Sequence, residues 1–408
     1  MDAYHTEPRK PSGAGKFVFV ILLMLVAGLG YLGYAMLGSG GGSTTPQNGG
    51  GASVPGNPAD GAPVTTTNNG DSSPRAGERG SGGERTVINI AYGTEKKLWL
   101  QWAAAEFAKS PEGRRIEVNL VGRGSVEGAR DVLNGPGSTP IHVWSPASSA
   151  YRDVFETEWQ LKMGRTDPIL RAENLVLTPM VFVMWDERFK AFEQKFGEVS
   201  FTSLASAMQE PGGWSAIADK SEWGLFKFGH TDPNKSNSGL LTLVLMGYDK
   251  AGKDRGLTVG DITGAEFQKW LRQFVLAVAR PSGELTHSTG TLMEEMVLRG
   301  PSQYDVIMVY ENLALGYLKA AEGRSGRLHI AYPRRNYWNE NPYYILDVPW
   351  SDKEQRRAAA AFLDFLMTRP IQERALDYGF RPGNPQVAIN GPDSPFVQHA
   401  DYGVRIDI

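Results

Sequence analysis

Residues 86–146 read TVINIAYGTEKKLWLQWAAAEFAKSPEGRRIEVNLVGRGSVEGARDVLNGPGSTPIHVWSP, and the periodicity of this stretch decides the fold class. TVINIAYG, RIEVNLVG and IHVWSP are short, rich in β-branched residues and bounded by Gly, Ser or Pro, as strands are. EKKLWLQWAAAEFAKS and SVEGARDVLNG lie between them and carry apolar residues at helical spacing. Strands that alternate with helices build a mainly parallel sheet covered on both faces, with ligands at the C-terminal ends of the strands. Those ends are Gly93-Thr94, Gly122 to Ser125 and Ser145 to Ser148.

Downstream, NLVLTPMVFVMW (Asn174–Trp185) is longer than an average strand and holds Pro179 in its middle. Proline interrupts ladder bonding, so this run suits a crossing between two lobes. A second αβ series follows: EWGLFKFG, the turn GHTDPNKSNSGL with the apolar helix LLTLVLMG, AEFQKWLRQFVLAVAR, GTLMEEMVLRG, YDVIMVY and ENLALGYLKAAEG. LHIAYP and NPYYILDVPW read as strands, and the last helical run breaks at Pro370 and stops at Gly379. The expected fold is α/β and two-lobed with mainly parallel central sheets, lobe 1 being residues 86–178 and 343–408 and lobe 2 residues 179–342.

Upstream the chain is different. Residues 17–38 are uncharged and mainly apolar, long enough to cross a bilayer as one helix. Arg9, Lys10 and Lys16 precede them and no Lys or Arg follows until Arg75, which predicts a cytoplasmic N-terminus (1–16) and an exported remainder. A cleaved signal peptide would need a shorter apolar region and a small-x-small site, and Ala35-Met36-Leu37 is a poor one. Residues 39–85 are Gly, Ser, Pro, Thr and Asn throughout, the composition of a flexible linker with an r.m.s. span of roughly 35–40 Å. The expected location is therefore the cytoplasmic membrane, single-pass, with the C-terminal part periplasmic or extracellular.

Composition removes several classes of function. With no cysteine there is no disulfide, thiolate metal site or catalytic thiol, and a net charge of -3 gives no electrostatic reason to expect nucleic acid. The glycines at 122, 124 and 128 miss the dinucleotide fingerprint, which needs its third glycine where Glu127 stands. No phosphate-binding loop, zinc-protease motif or nucleophile elbow occurs in the globular part, and the six histidines are scattered. A binding protein with no catalytic residue, cofactor or metal is expected.

What recurs is a hydroxyl-rich cluster at the mouths of helices in both halves: Thr94, Ser125 and Ser145 in the first, Ser236, Ser238 and Ser288 in the second. Hydroxyls and free N–H groups at a helix N-terminus accept a small anion without a formal counter-charge, although each alone is also an ordinary N-cap. With Ser236 as N-cap, Gly239 stands where a capping box needs Glu or Gln, so the donors of that helix are not tied up from within. Tyr310 and Glu311 sit at a strand end entering a helix; Glu311 is read as a helix-dipole partner or as a cleft group for a hydroxyl, amine or metal-bound ligand. His230 and His287 flank the hydroxyl clusters, and isolated histidines are more often structural than ligand donors.

INIAYGTE, LVLTPMVFVMW, GHTDPNKSNSGL, YDVIMVYEN and AAAFLDFLMTRPIQERALDYGFRPGNP, in this order, resemble a bacterial extracellular solute-binding protein of the type II periplasmic-binding class. The resemblance runs over residues 86–388 and is nearest to the molybdate-, sulfate- and phosphate-like branch. It implies two lobes joined by hinge crossings that close on a small solute. By position, Thr94, Ser125 and Ser145 match the first-lobe ligand loops of that class, and Ser236, Ser238, Ser288 and Tyr310 the second. A membrane helix and long tether depart from the soluble or lipid-anchored receptors. The partners it implies are a small-molecule solute and a transporter or von Willebrand A-type protein; the rival reading is an envelope interaction or assembly protein that keeps the fold.

Overall fold

The computed structural model describes residues 85–164 and 167–408. The expected membrane helix at 17–38 and the linker lie outside these residues. No helix among those described is long and apolar enough to cross a membrane.

The opening series folds as its periodicity predicts, with β1 (Thr86–Tyr92), α1 (Lys97–Phe107), β2 (Ile116–Gly122), α2 (Ser125–Leu133), β3 (Val143–Ser145), α3 (Arg152–Met163) and β4 (Ile169–Asn174). β1 pairs in parallel with β2 and β3. β5 (Val176–Trp185) then leaves this sheet for the second one. Leu175 and Val176 belong to the first core and Val181, Val183 and Trp185 to the second, with Pro179 between them. The Met180 N–H, freed from the ladder at this point, donates to Asn336 Oδ1 at 3.0 Å.

The second series holds α4 (Asp186–Phe196), α5 (Phe201–Met208), β6 (Phe228–Gly229), α6 (Asn237–Ala251), α7 (Ala265–Ala277), α8 (Thr289–Arg299), β7 (Val306–Tyr310), α9 (Glu311–Glu322), β8 (Leu328–Ala331) and β9 (Trp338–Asn339). The chain returns through β10 (Pro342–Leu346), α10 (Lys353–Leu366), α11 (Arg369–Leu376) and β11 (Arg381–Pro382). The first sheet has the order β2-β1-β3-β10-β4, and the second runs β11-β5-β7-β6, with β8 and β9 also on β5.

The expectation of mainly parallel sheets is corrected by the second lobe. There β5 is antiparallel to β7, β8, β9 and β11, and only β6 and β7 pair in parallel. The reason is the crossing itself: β5 enters the second lobe from the first and so runs against the strand that a βα unit would supply. β10 is likewise antiparallel to both of its neighbours in the first sheet.

The C-terminal segment serves both cores. Ala358, Phe362, Leu363, Leu366 and Ile371 of α10 and α11 pack with Ile88, Trp99 and Phe107. Beyond β11, Phe396 and Val404 pack with Val181, Met293 and Ile330 in the second core. Between these two anchorages lies a buried ion pair. Arg381 donates to both oxygens of Glu311, at 2.8 and 2.9 Å, and a further guanidinium N–H reaches the Ile406 carbonyl at 2.7 Å. The Tyr332 hydroxyl also donates to Glu311.

Glu311 is wholly buried and Arg381 nearly so. Removing one member of such a pair strands the other charge, which costs about 3–5 kcal/mol. Glu311→Ala is expected to lower unfolding stability by that amount, measured by urea titration; a loss under about 1 kcal/mol would mean that Arg381 finds water instead. His230, at the end of β6, supplies a pH-dependent counterpart. It is 2 % exposed, its Nδ1–H donates to the Thr231 carbonyl at 2.7 Å, and burial pushes the imidazole from 6.5 down to about 4. Between those two values the unfolded chain takes up a proton that the folded chain refuses, so the contribution is complete above about 6.5 and lost as the pH falls towards about 4. The wild-type protein should lose more stability than His230→Gln between neutral pH and the lower value; equal losses would remove His230 from the acid limb.

Candidate functional site

Two βα turns of the first lobe and the mouths of α6 and α8 in the second meet around one cavity of about 530 Å³. Thr94, Ser125, Ser236, Ser288 and Tyr310, all singled out in the sequence, line it. Glu95, Arg123, Glu127, Arg130, Lys235, Asn237, His287 and Thr289 complete most of the polar wall.

The helix mouths are built as the residue types dictate. Ser236 and Ser288 are the N-caps of α6 and α8, extended at φ -119° and -129°, and neither side chain caps its own helix. The N-terminal donors of both helices are therefore left to other partners. Gly239 is required in the first turn of α6 because a Cβ there would lie 2.4 Å from the Thr231 carbonyl oxygen. At α2 the arrangement differs: the Glu127 carboxylate accepts from the Gly124 N–H at 3.2 Å. Gly124 also lets the lobes approach, since a Cβ on it would stand 2.9 Å from the Lys235 carbonyl oxygen.

Three expected site residues do not line the cavity. Ser238 lies one layer below, its hydroxyl within 2.7 Å of Thr231 Oγ1, 3.1 Å of Ser236 Oγ and 2.6 Å of Thr289 Oγ1. It positions the two hydroxyls that do face the cavity, Ser236 and Thr289. Ser145 is fully buried in β3, and its hydroxyl has no partner among the described residues. Glu311 belongs to the ion pair with Arg381, so the reading of it as a cleft group is corrected. A first-turn carboxylate can point either way from a strand end, and here the arginine of β11 decides the direction.

Ser125 faces the cavity with part of its capacity already used, because its Oγ accepts from the Ala147 N–H at 3.0 Å. Tyr310 is buried beneath α6, where burial first and the Glu95 charge second push its phenol far upward, so it stays a neutral hydroxyl.

The residue that the sequence did not single out by role is Asn237. Its Oδ1 accepts from Ser148 of the first lobe at 2.8 Å, and its Nδ2 donates to Tyr310 of the second and to Asn339 of β9, both at 3.0 Å. Thr94 and Ser288 approach each other across the lobes at 3.3 Å, and Asn312 donates to the Glu95 carbonyl at 3.3 Å. The lobes are thus in contact around the cavity. Beside it, Lys96 is completely buried and donates to Glu95 at 2.6 Å, to Asn341 at 3.0 Å and to the Pro146 carbonyl at 3.1 Å. Burial pushes the Lys96 amine down while Glu95 holds it up. No sequence signal distinguished Lys96 from the exposed Lys97 beside it.

Among the described residues no group of His, Cys, Asp or Glu is arranged to hold a metal ion. The arrangement offers hydroxyls, amide donors and cations around one half-open cleft, which suits recognition of a small polar molecule.

Comparison with known proteins agrees with the two-lobed fold. The model of the bacterial extracellular solute-binding protein family matches residues 88–381. No curated protein matches the chain by sequence. Among solved structures, the sulfate-binding protein SubI from Mycobacterium tuberculosis H37Rv is similar at 18% identity and TM-score 0.50, over 78% of this chain and 91% of that one. The substrate-binding protein of an ABC transporter from Agrobacterium tumefaciens is similar at 12% identity and TM-score 0.52, over 80% and 87%. An ABC transporter solute-binding protein from Agrobacterium radiobacter K84 in complex with ribitol is similar at 15% identity and TM-score 0.51, over 78% and 87%. These likenesses concern the fold, and the family match concerns the greater part of the chain: it belongs to the bacterial extracellular solute-binding proteins and has their two-lobed α/β architecture.

Proposed function

We propose that this chain is a membrane-tethered, extracytoplasmic receptor that closes its two lobes on a small oxyanion or small polar metabolite, for uptake or sensing. The observation that carries this reading is the convergence of α6 and α8 on one cavity with N-caps that leave their helices' donors unclaimed by the capping side chains. Ser236 and Ser288 are the proposed second-lobe contacts, with Thr94 and Ser125 facing them from the first lobe and Tyr310 beneath. Ser238 and Ser145 are proposed to support those contacts from behind. The tether rests on the apolar, uncharged residues 17–38 and the positive charges before them. A transporter or a von Willebrand A-type protein remains the proposed partner.

Binding should be visible as stabilisation. A ligand at a hundred times its Kd adds about 2.7 kcal/mol to the folded state. The full chain in detergent, screened by thermal shift against oxyanions, sugars, amino acids and polyamines, is expected to show such a ligand. Ser236→Ala combined with Ser288→Ala should then weaken it by about tenfold or more, roughly the loss of one charge-assisted hydrogen bond. A ligand whose affinity ignores both substitutions would place the binding site elsewhere.

A further inference from the structure

The size of the cavity and the distribution of charge on its wall narrow the ligand class within the reading just proposed, on which this inference rests. The lobes already touch through Ser148–Asn237 and Thr94–Ser288, yet about 530 Å³ remains between them. A bare tetrahedral oxyanion would fill a small part of it and keep most of its hydration. Its attraction to the helix mouths would then be that of a solvated ion, about 0.3–1 kcal/mol per helix. A small organic molecule fits the volume, which falls in the ordinary range of pockets for such ligands.

Charge is distributed unevenly around this volume. Arg123 is already engaged, 2.7 Å from Asp131 and 3.6 Å from Glu127. Arg130 and Lys235 also line the cavity, both exposed, and among the described residues neither has a carboxylate within ion-pair distance. Lys235 Nζ stands 2.8 Å from His287 Nε2. An ammonium can only donate, so the imidazole accepts there and carries its proton on Nδ1. Both cations therefore remain available to an anionic group. Two carboxylates, Glu95 and Glu127, line the first-lobe side. The Glu95 charge is compensated by Lys96, and a compensated carboxylate accepts from a hydroxyl without repelling an anion elsewhere on the same molecule. Thr94, Ser125 and Ser288 add further hydroxyls to the wall.

We infer that the cleft takes a hydroxylated organic anion, a polyol or sugar that carries a phosphate or carboxylate group, rather than a bare oxyanion or a neutral polyol. The anionic group lies against Lys235 and Arg130 with the α6 and α8 mouths, and the hydroxyls reach Glu95 and the serine and threonine side chains.

The test is calorimetric titration of the full chain in detergent with inorganic phosphate, inorganic sulfate, sorbitol, and a panel of triose, pentose and hexose phosphates and the matching aldonates. The expected result is at least one panel member bound about tenfold or more tighter than all three simple probes. Phosphorylated and carboxylated members separate the two sources of the anionic group. Lys235→Ala, an exposed position, should weaken that member by about tenfold, and Lys235→Arg should restore most of the affinity. Phosphate, sulfate or sorbitol bound as tightly as the best panel member would overturn the inference while leaving the cleft a binding site. Silence from every compound would overturn the inference, and silence there together with no thermal shift from any oxyanion, sugar, amino acid or polyamine would overturn the reading it rests on.

Discussion

Asn237 is the point on which the two halves of this molecule depend. One amide side chain bonds to Ser148 in the first lobe, Tyr310 in the second and Asn339 on β9, which pairs with the crossing strand. It is buried, so each of these bonds forms in a medium where an unmade one would cost about 1–3 kcal/mol. The cavity exists because this amide, the Thr94–Ser288 approach and the bare Cα of Gly124 let the lobes meet around it rather than through it. Asn237 is also the first residue of α6, so the element that presents the helix donors is the one that carries the interlobe contact.

A second constraint lies behind the site. β5 threads from one core to the other, and β11 returns to pair with its first residues through Arg381 and Pro382. Arg381 then turns inward to Glu311 at the start of α9. The floor of the cleft is thereby tied to the C-terminal segment, whose α10 and α11 cover the first core and whose Phe396 and Val404 enter the second. Beside this crossing, between β9 and β10, Asn341 holds a positive φ of 45° and accepts from the buried Lys96. A residue with a short polar side chain tolerates that backbone conformation far better than a β-branched one.

Much of this was legible in the sequence, for stated reasons. The alternation at residues 86–146 placed the βα turns, because side-chain periodicity reports which face of an element is buried. The serines at 236 and 288 stood at helix mouths because capping preference is local. Glu311 stays open in the sequence between helix-dipole partner and cleft group because its partner lies seventy residues away on β11, and no local rule reports a pairing at that separation. The second sheet was expected to be parallel because a strand's direction depends on where the chain enters the lobe, which periodicity does not record.

Local physical chemistry thus settled the element types, the two-lobed α/β class and the hydroxyl clusters, since propensity, capping and turn chemistry act within a few residues. Tertiary structure alone decided which hydroxyls face the cavity, that Ser238 and Glu311 turn away from it, and that Lys235, Arg130 and Asn237 join it. Those choices rest on long-range pairing and on the burial of charge, which arise only once distant segments share one low-dielectric interior.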